Sequence, residues 1–363
     1  MSTSFRIFPL FTRAVAVGAG ALALLSCNPD DDSQSTPLYN LSKDGSNVLV
    51  LNEGQFGTPN GEISLFSKTT KKILNNNAFR TINQRDIGDV IQSMLVVGDR
   101  GYIVVNNSKK VEVIDVRTFG EVATVDGLDQ PRYAVAAGPD KVYISEWTSG
   151  TTGRVAVLDT RTNKVSKTVP VGGRPEQMLL AGGKVYVPNS DQNTVTVINA
   201  STDAVESTLT VTEGPSALVQ DASGAIWVSC SGITRYGGPP SYAVISSTPG
   251  SLIKLNAAAS AAALTLPFTR SGPANLQLNA AGTELYYRYS GGVYRMSTTA
   301  STLPTTPIIR RSFYGFNVDP QDNTIYGAIA PYTTTGKFIR YQASGTAIDS
   351  FNVGLLPNGF VFY

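Results

Sequence analysis

Three consecutive stretches of the chain follow one plan, and that plan rules out most ways of folding it. Residues 92–130 carry Gly101-Tyr102-Ile103-Val104-Val105 and then Val111-Glu112-Val113-Ile114-Asp115. Residues 131–174 carry Lys141-Val142-Tyr143-Ile144-Ser145 and then Val155-Ala156-Val157-Leu158-Asp159. Residues 175–214 carry Lys184-Val185-Tyr186-Val187 and then Val195-Thr196-Val197-Ile198-Asn199. Pro131, Pro175 and Pro215 start successive copies 44 and 40 residues apart. Short alternating strands between turns, repeated at that period, describe a sheet that stacks on copies of itself. Weaker copies start at Pro215, with an insertion near 231–250, at Pro273 and at Phe313.

The two ends of the repeat region are complementary. Pro357-Asn358-Gly359-Phe360-Val361-Phe362-Tyr363 reads as a first strand with nothing after it. Val48-Leu49-Val50-Leu51 and Glu62-Ile63-Ser64-Leu65-Phe66 read as later strands with no first one. Joined, they make a seventh unit. The expectation is an all-β, seven-bladed β-propeller over 47–363, closed by pairing of its N- and C-terminal strands, since closure removes open sheet edges. Six or eight blades are the alternative counts, and an open solenoid with polar caps is the rival architecture. The 34 Gly and 20 Pro suit many tight turns, and no helical stretch of convincing period is expected. Tyr102, Tyr143 and Tyr186 recur at one repeat position inside strands, which predicts core packing.

The N-terminus reads as an address. Arg6 and Arg13 precede the apolar run AVAVGAGALALL, residues 14–25, too short to span a bilayer but suited to a signal-peptide core. Leu24-Leu25-Ser26-Cys27 resembles the bacterial lipobox, which predicts a signal peptide over 1–26 and lipidation of Cys27, with an ordinary secretory cleavage site as the alternative. Asp30, Asp31 and Asp32 follow at once, resembling the signal that places Bacteroidetes lipoproteins on the cell surface; a solvated acidic linker is the other reading. Residues 27–46 read as the lipidated cysteine and a flexible tether. The expected location is the outer membrane, surface-exposed, with membrane contact through the lipid alone.

Charge and histidine content narrow the function. The sequence has 29 Lys+Arg against 27 Asp+Glu, and removing Arg6 and Arg13 with the signal leaves 27 against 27. A neutral chain has no electrostatic reason to seek nucleic acid. With no histidine, the commonest general base and transition-metal ligand is missing; Asp/Glu chemistry and oxygen-ligand Ca²⁺ sites stay open, and the expectation is no catalytic residue, metal or cofactor. Cys230 lies in the alternating run Ile226-Trp227-Val228-Ser229-Cys230 and reads as a buried strand thiol.

The repeat Val-Tyr-Val…Val-x-Val-Ile-Asp resembles the YncE-like, surface-layer type of propeller. A narrower resemblance rests on Val50-Leu51-Asn52-Glu53-Gly54-Gln55-Phe56-Gly57, Asn60-Gly61-Glu62-Ile63-Ser64, Ile87-Gly88-Asp89-Val90-Ile91-Gln92-Ser93-Met94, Tyr102-Ile103-Val104-Val105-Asn106-Asn107-Ser108 and Pro131-Arg132-Tyr133. These are similar to DUF5074-type propeller lipoproteins of Bacteroidetes, among them BtuG-type cobalamin-capture proteins. The resemblance is good from about 48 to 199 and fades after Pro215. It implies capture of a corrinoid or other small nutrient and delivery to a TonB-dependent transporter.

In a propeller, the connections into each first strand and those between second and third strands gather on one face. The residues expected to bind ligand there are Phe56, Gln92, Arg132, Tyr133, Trp147, Gln177, Arg235, Tyr236, Tyr314, Tyr332 and Asn358. Aromatic faces supply contact area and amides or Arg read hydrogen-bond acceptors. Shielding of blade edges is the structural alternative for these rings. An interaction or surface-layer propeller without a small ligand is the competing function. A metal-dependent lactonase-like hydrolase, drawing on Glu53, Glu146 and Glu176, is the enzyme alternative.

Overall fold

The computed structural model describes residues 38–149, 152–256 and 258–363; the expected signal peptide, Cys27 and the acidic cluster after it lie outside the described residues. The strands make seven blades and one small extra sheet. Blade 1 holds, from the axis outward, Pro357–Phe362, Asn47–Asn52, Glu62–Ser67 and Lys72–Asn75. Blade 2 is Ile91–Val97, Arg100–Val105, Lys110–Asp115 and Glu121–Val125; blade 3 is Pro131–Gly138, Lys141–Trp147, Thr152–Asp159 and Lys164–Gly172. Blade 4 is Leu179–Ala181, Lys184–Asn189, Thr194–Asn199 and Ala204–Thr210; blade 5 is Pro215–Gln220, Ile226–Cys230, Ser251–Leu255 and Ala262–Pro267. Blade 6 is Ala274–Leu278, Glu284–Tyr289 and Gly292–Ser297; blade 7 is Phe316–Val318, Ile325–Ile329, Thr335–Tyr341 and Ala347–Leu355.

Alternation in these strands does not mean one wet face. In Asn47–Asn52 every residue is buried. Val48 and Val50 pack with Tyr326 and Phe338 of blade 7, while Leu49 and Leu51 pack with Ile103 and Val105 of blade 2. The period of two therefore deals side chains alternately to two cores. Each neighbouring pair of blades shares one such cluster, and the cluster between blades 7 and 1 completes the ring. Tyr102, Tyr143 and Tyr186 each sit in the core with an adjacent blade, as their spacing predicts. Cys230 is fully buried in the cluster between blades 4 and 5.

Closure follows the expected pairing. Val48 lies opposite Phe362, Leu49 opposite Val361 and Val50 opposite Phe360. Asn47 and Tyr363 exchange backbone hydrogen bonds of 3.1 and 2.9 Å. Seven is the blade count.

Three local features depart from the repeat. A six-residue helix, Ala78–Asn83, follows blade 1, against the expectation of no helix. Phe79 anchors it in the core, and the N–H groups of Phe79 and Arg80 donate to the buried Glu62 carboxylate at 3.0 and 3.1 Å. Blade 6 has no complete fourth strand; a single bridge joins Val293 to Ile309. Pro304 and Pro307 lack the N–H that a ladder needs, which restricts pairing there. Part of the segment read as tether is docked: Tyr39 and Leu41 pack on the core between blades 1 and 2.

Candidate functional site

The chain enters five of the seven first strands through a sharp reversal before a proline. Gln130, Arg174 and Leu356, each immediately before a proline, have left-handed φ values of 43°, 52° and 52°. Gly214 and Gly272 take the same role before Pro215 and Pro273. Each non-glycine residue held there costs about 1–2 kcal/mol. The reversal places the next one or two side chains at the axis, all on one face.

There they line a cavity of about 360 Å³ at the mouth of the central channel. Of the residues in the expected ligand set, Gln92, Tyr133, Gln177, Tyr314 and Asn358 reach it. Glu53, Asn275 and Arg288 join them. Sequence reading left Arg288 and Asn275 out of the ligand set. Arg288 is the penultimate residue of the second strand of blade 6, inside Tyr286-Tyr287-Arg288-Tyr289, where the tyrosines dominate the pattern; that position was the available signal.

Two polar groups organise the mouth. Around Glu53, the Tyr314 hydroxyl donates to one carboxylate oxygen at 2.7 Å and the Asn358 amide donates to the other at 2.9 Å. Asn358 also donates to the Ile91 carbonyl at 2.8 Å, tying blade 1 to blade 2. Burial pushes the Glu53 carboxyl above the usual range, with these two donors opposing the shift.

Around Arg132, the guanidinium donates to Gln92 Oε1 at 2.5 Å and to Glu176 at 3.2 Å. It lies 4.2 Å from the centre of the Trp147 ring, and Arg174 lies over the same ring at 5.2 Å. Trp147, expected to contact ligand, has the Arg132 and Arg174 guanidinium groups against its ring. Glu176 is nearly buried; burial raises its carboxyl and the Arg132 charge opposes this. Burial, followed by the Glu176 charge, pushes the Tyr133 hydroxyl up to about 12, so it stays a neutral donor at any ordinary pH.

The remaining expected residues stand apart from the cavity. Phe56, Tyr236 and Tyr332 are 75, 63 and 72% exposed, on connections between second and third strands. Tyr332 touches the cavity only through an edge contact with Tyr314, centroids 6.1 Å apart. Arg235 and Tyr236 belong to a hairpin, Thr234–Tyr236 with Val244–Ser247, that fills the insertion of blade 5. Second-to-third connections are long enough to project outward, and the reversals before first strands are not.

Glu53, Glu146 and Glu176 do not converge. Glu146 pairs with Arg154 at 2.7 Å, Glu176 with Arg132, and Glu53 with Tyr314 and Asn358. Among the described residues no group of three or more Cys, Asp or Glu side chains is placed to hold a metal ion.

A family model described as "Domain of unknown function (DUF5074)" matches residues 46–361. No curated protein matches the sequence. Among solved structures, a quinoprotein alcohol dehydrogenase-like protein from Bacteroides thetaiotaomicron is 10% identical at a TM-score of 0.65, covering 88% of this chain and 78% of that one. A protein from Bacteroides fragilis, provisionally assigned as a 6-phosphogluconolactonase, is 15% identical at 0.64, covering 89% of this chain and 99% of that one. Kuenenia stuttgartiensis hydrazine synthase is 14% identical at 0.53, covering 72% and 86%. At such identities the likeness is one of fold, and fold does not carry activity.

Proposed function

We propose, from the premise that this chain belongs to the DUF5074 family of β-propellers, that it captures a polar small molecule at the channel mouth. The observation that carries this reading is the axial cavity, whose polar groups come from several blades and are held in place: Glu53 by Tyr314 and Asn358, Gln92 by Arg132, and Arg288 by Asn275. Such preorganised polar groups at a recess are what fixes a ligand's orientation. The reading includes export: a signal peptide over 1–26, lipid on Cys27 and a place on the outer surface of the outer membrane.

A corrinoid is the ligand that the family resemblance suggests, with a TonB-dependent transporter receiving it. A corrin ring is wider than a cavity of about 360 Å³. It would lie across the mouth with a side-chain amide in the cavity and its edge against Phe56, Tyr236 or Tyr332. Calorimetric titration of residues 38–363 with cobalamin and cobinamide tests this. Micromolar or tighter binding, weakened by Tyr314→Ala, supports it; no heat at micromolar concentrations removes the corrinoid. Proteinase treatment of intact cells tests location, and full protection of the propeller would contradict surface display.

A second reading, a protein-docking propeller, is favoured by the blade 5 hairpin. Tyr236, Tyr242, Val244 and Ile245 are 63, 63, 58 and 72% exposed, an apolar tip on the same face. Co-purification of an outer-membrane partner that is lost in a Tyr236→Ser, Ile245→Ser double variant would establish it; retention of the partner would dismiss the hairpin.

A further inference from the structure

The charge of the chain is unevenly placed. Between residues 222 and 318 stand seven cations and one acid, Glu284. Lys254 lies 3.6 Å from Asp221 and Arg295 lies 3.5 Å from Glu284. Arg235, Arg270, Arg288, Arg310 and Arg311 form no ion pair among the described residues. All five lie on connections or strand ends at the channel-mouth face.

Two of them flank one recess. Arg288 and Arg311 line a cavity of about 220 Å³ between blades 6 and 7, closed by Ser290, Ser312 and Phe313. Gly272, Gly291 and Gly292 leave part of its wall without side chains, and Ala274 and Tyr289 complete it. Ser290 and Gly291, at φ 48° and 78°, make the tight turn that forms one wall.

Arg288 is the decisive group. Its guanidinium donates to the Phe313 carbonyl and to Asn275 Oδ1, while its Nε–H is buried with no acceptor. A guanidinium carries five N–H donors, and none of these meets a carboxylate. Partial burial of a cation without a counter-charge is unfavourable unless an anion completes it. Burial lowers the basicity of Arg288, in keeping with that missing counter-charge.

We infer that the recess between Arg288 and Arg311 binds an oxyanion, the carboxylate or phosphate group of a small soluble molecule. Arg288 lines both this recess and the axial cavity. An anionic group seated here would place the rest of its molecule at the channel mouth, so in this respect the inference rests on the capture reading. Planar guanidinium pairs suit carboxylate and phosphate because two parallel N–H donors match two oxygens.

The test uses the full-length protein and inorganic phosphate, exchanged against chloride at constant ionic strength, with thermal stability as readout. Saturable stabilisation is expected, and Arg311→Gln should raise the half-saturating phosphate concentration by about tenfold or more. Arg311 is exposed and its loss leaves the blade cores intact; Arg270→Gln, outside the recess, should leave the phosphate response unchanged. Acetate in place of phosphate tells a carboxylate preference from a phosphate one. A response that never saturates, or one equal in the wild type and Arg311→Gln, overturns the inference. Phosphate binding and corrinoid binding are measured separately, so the failure of either leaves the other standing.

Discussion

Replacing Phe360 by alanine probes closure of the ring at its seam. Phe360 is 5% exposed in the first strand of blade 1, with its ring 5.3 Å from Tyr326 and 5.5 Å from Phe338 of blade 7. Removing a buried phenyl ring costs about 3–5 kcal/mol. Because the strand Pro357–Phe362 bonds within its blade to Asn47–Asn52 alone, that loss falls on one two-strand junction. At about 1.4 kcal/mol per factor of ten, a cost near 4 kcal/mol raises seam opening about 10³-fold. Hydrogen exchange read by mass spectrometry should show amides of Val48–Leu51 exchanging much faster, while those of Tyr186 and Val187 in blade 4 change far less. A control substitution, Phe268→Ala between blades 5 and 6, should not single out blade 1. Equal acceleration in blades 1 and 4 for Phe360→Ala would refute the seam as a separately opening unit.

Other substitutions address the mouth and the core. Glu53→Gln should gain stability relative to the parent as pH rises. Burial raises the folded-state value of Glu53 above its unfolded one, so its penalty is absent below the unfolded value and complete above the folded value; a difference in urea midpoints independent of pH would contradict this. Arg132→Ala leaves Glu176 nearly buried without its cation and should lower stability by about 3 kcal/mol; a change in thermal midpoint within error would show that the pair is dispensable. Burial raises the Cys230 thiol to about 11, so residues 38–363 should leave it unmodified by a disulfide reagent at pH 8 until denatured; rapid native reaction would mean that the core between blades 4 and 5 opens readily.

Much of this architecture was legible because the repeat encodes it twice. Val111-Glu112-Val113-Ile114-Asp115 and its counterparts declare strands, and the prolines at 131, 175, 215, 273 and 357 mark five of the seven entries to the axis. The complementary ends foretold that the terminal strands pair, and the register, with Val50 opposite Phe360, came from the structure. The helix Ala78–Asn83 escaped notice because six residues make no period, and what holds its N-terminus is Glu62 from a neighbouring strand. The division of the face residues into axis and rim was hidden as well. Gln92 and Phe56 are both loop residues in sequence, and only the length and hand of each connection sends one inward and the other to solvent. Trp147 shows the same limit, since its partners Arg132 and Arg174 come from opposite ends of the repeat 131–174.

The seam also dictates an order of assembly. Blade 1 draws its innermost strand from 357–362 and its next from 47–52, so the sheet that locks the ring needs segments synthesised some 300 residues apart. A chain threaded across a membrane from its N-terminus delivers Pro357–Phe362 after every other strand. Until then the strand Asn47–Asn52 has a bare hydrogen-bonding edge and the cluster with blade 7 is incomplete. Under the proposed export, the ring closes only once the whole chain has crossed, and a chain lacking its last strand is left open at this seam.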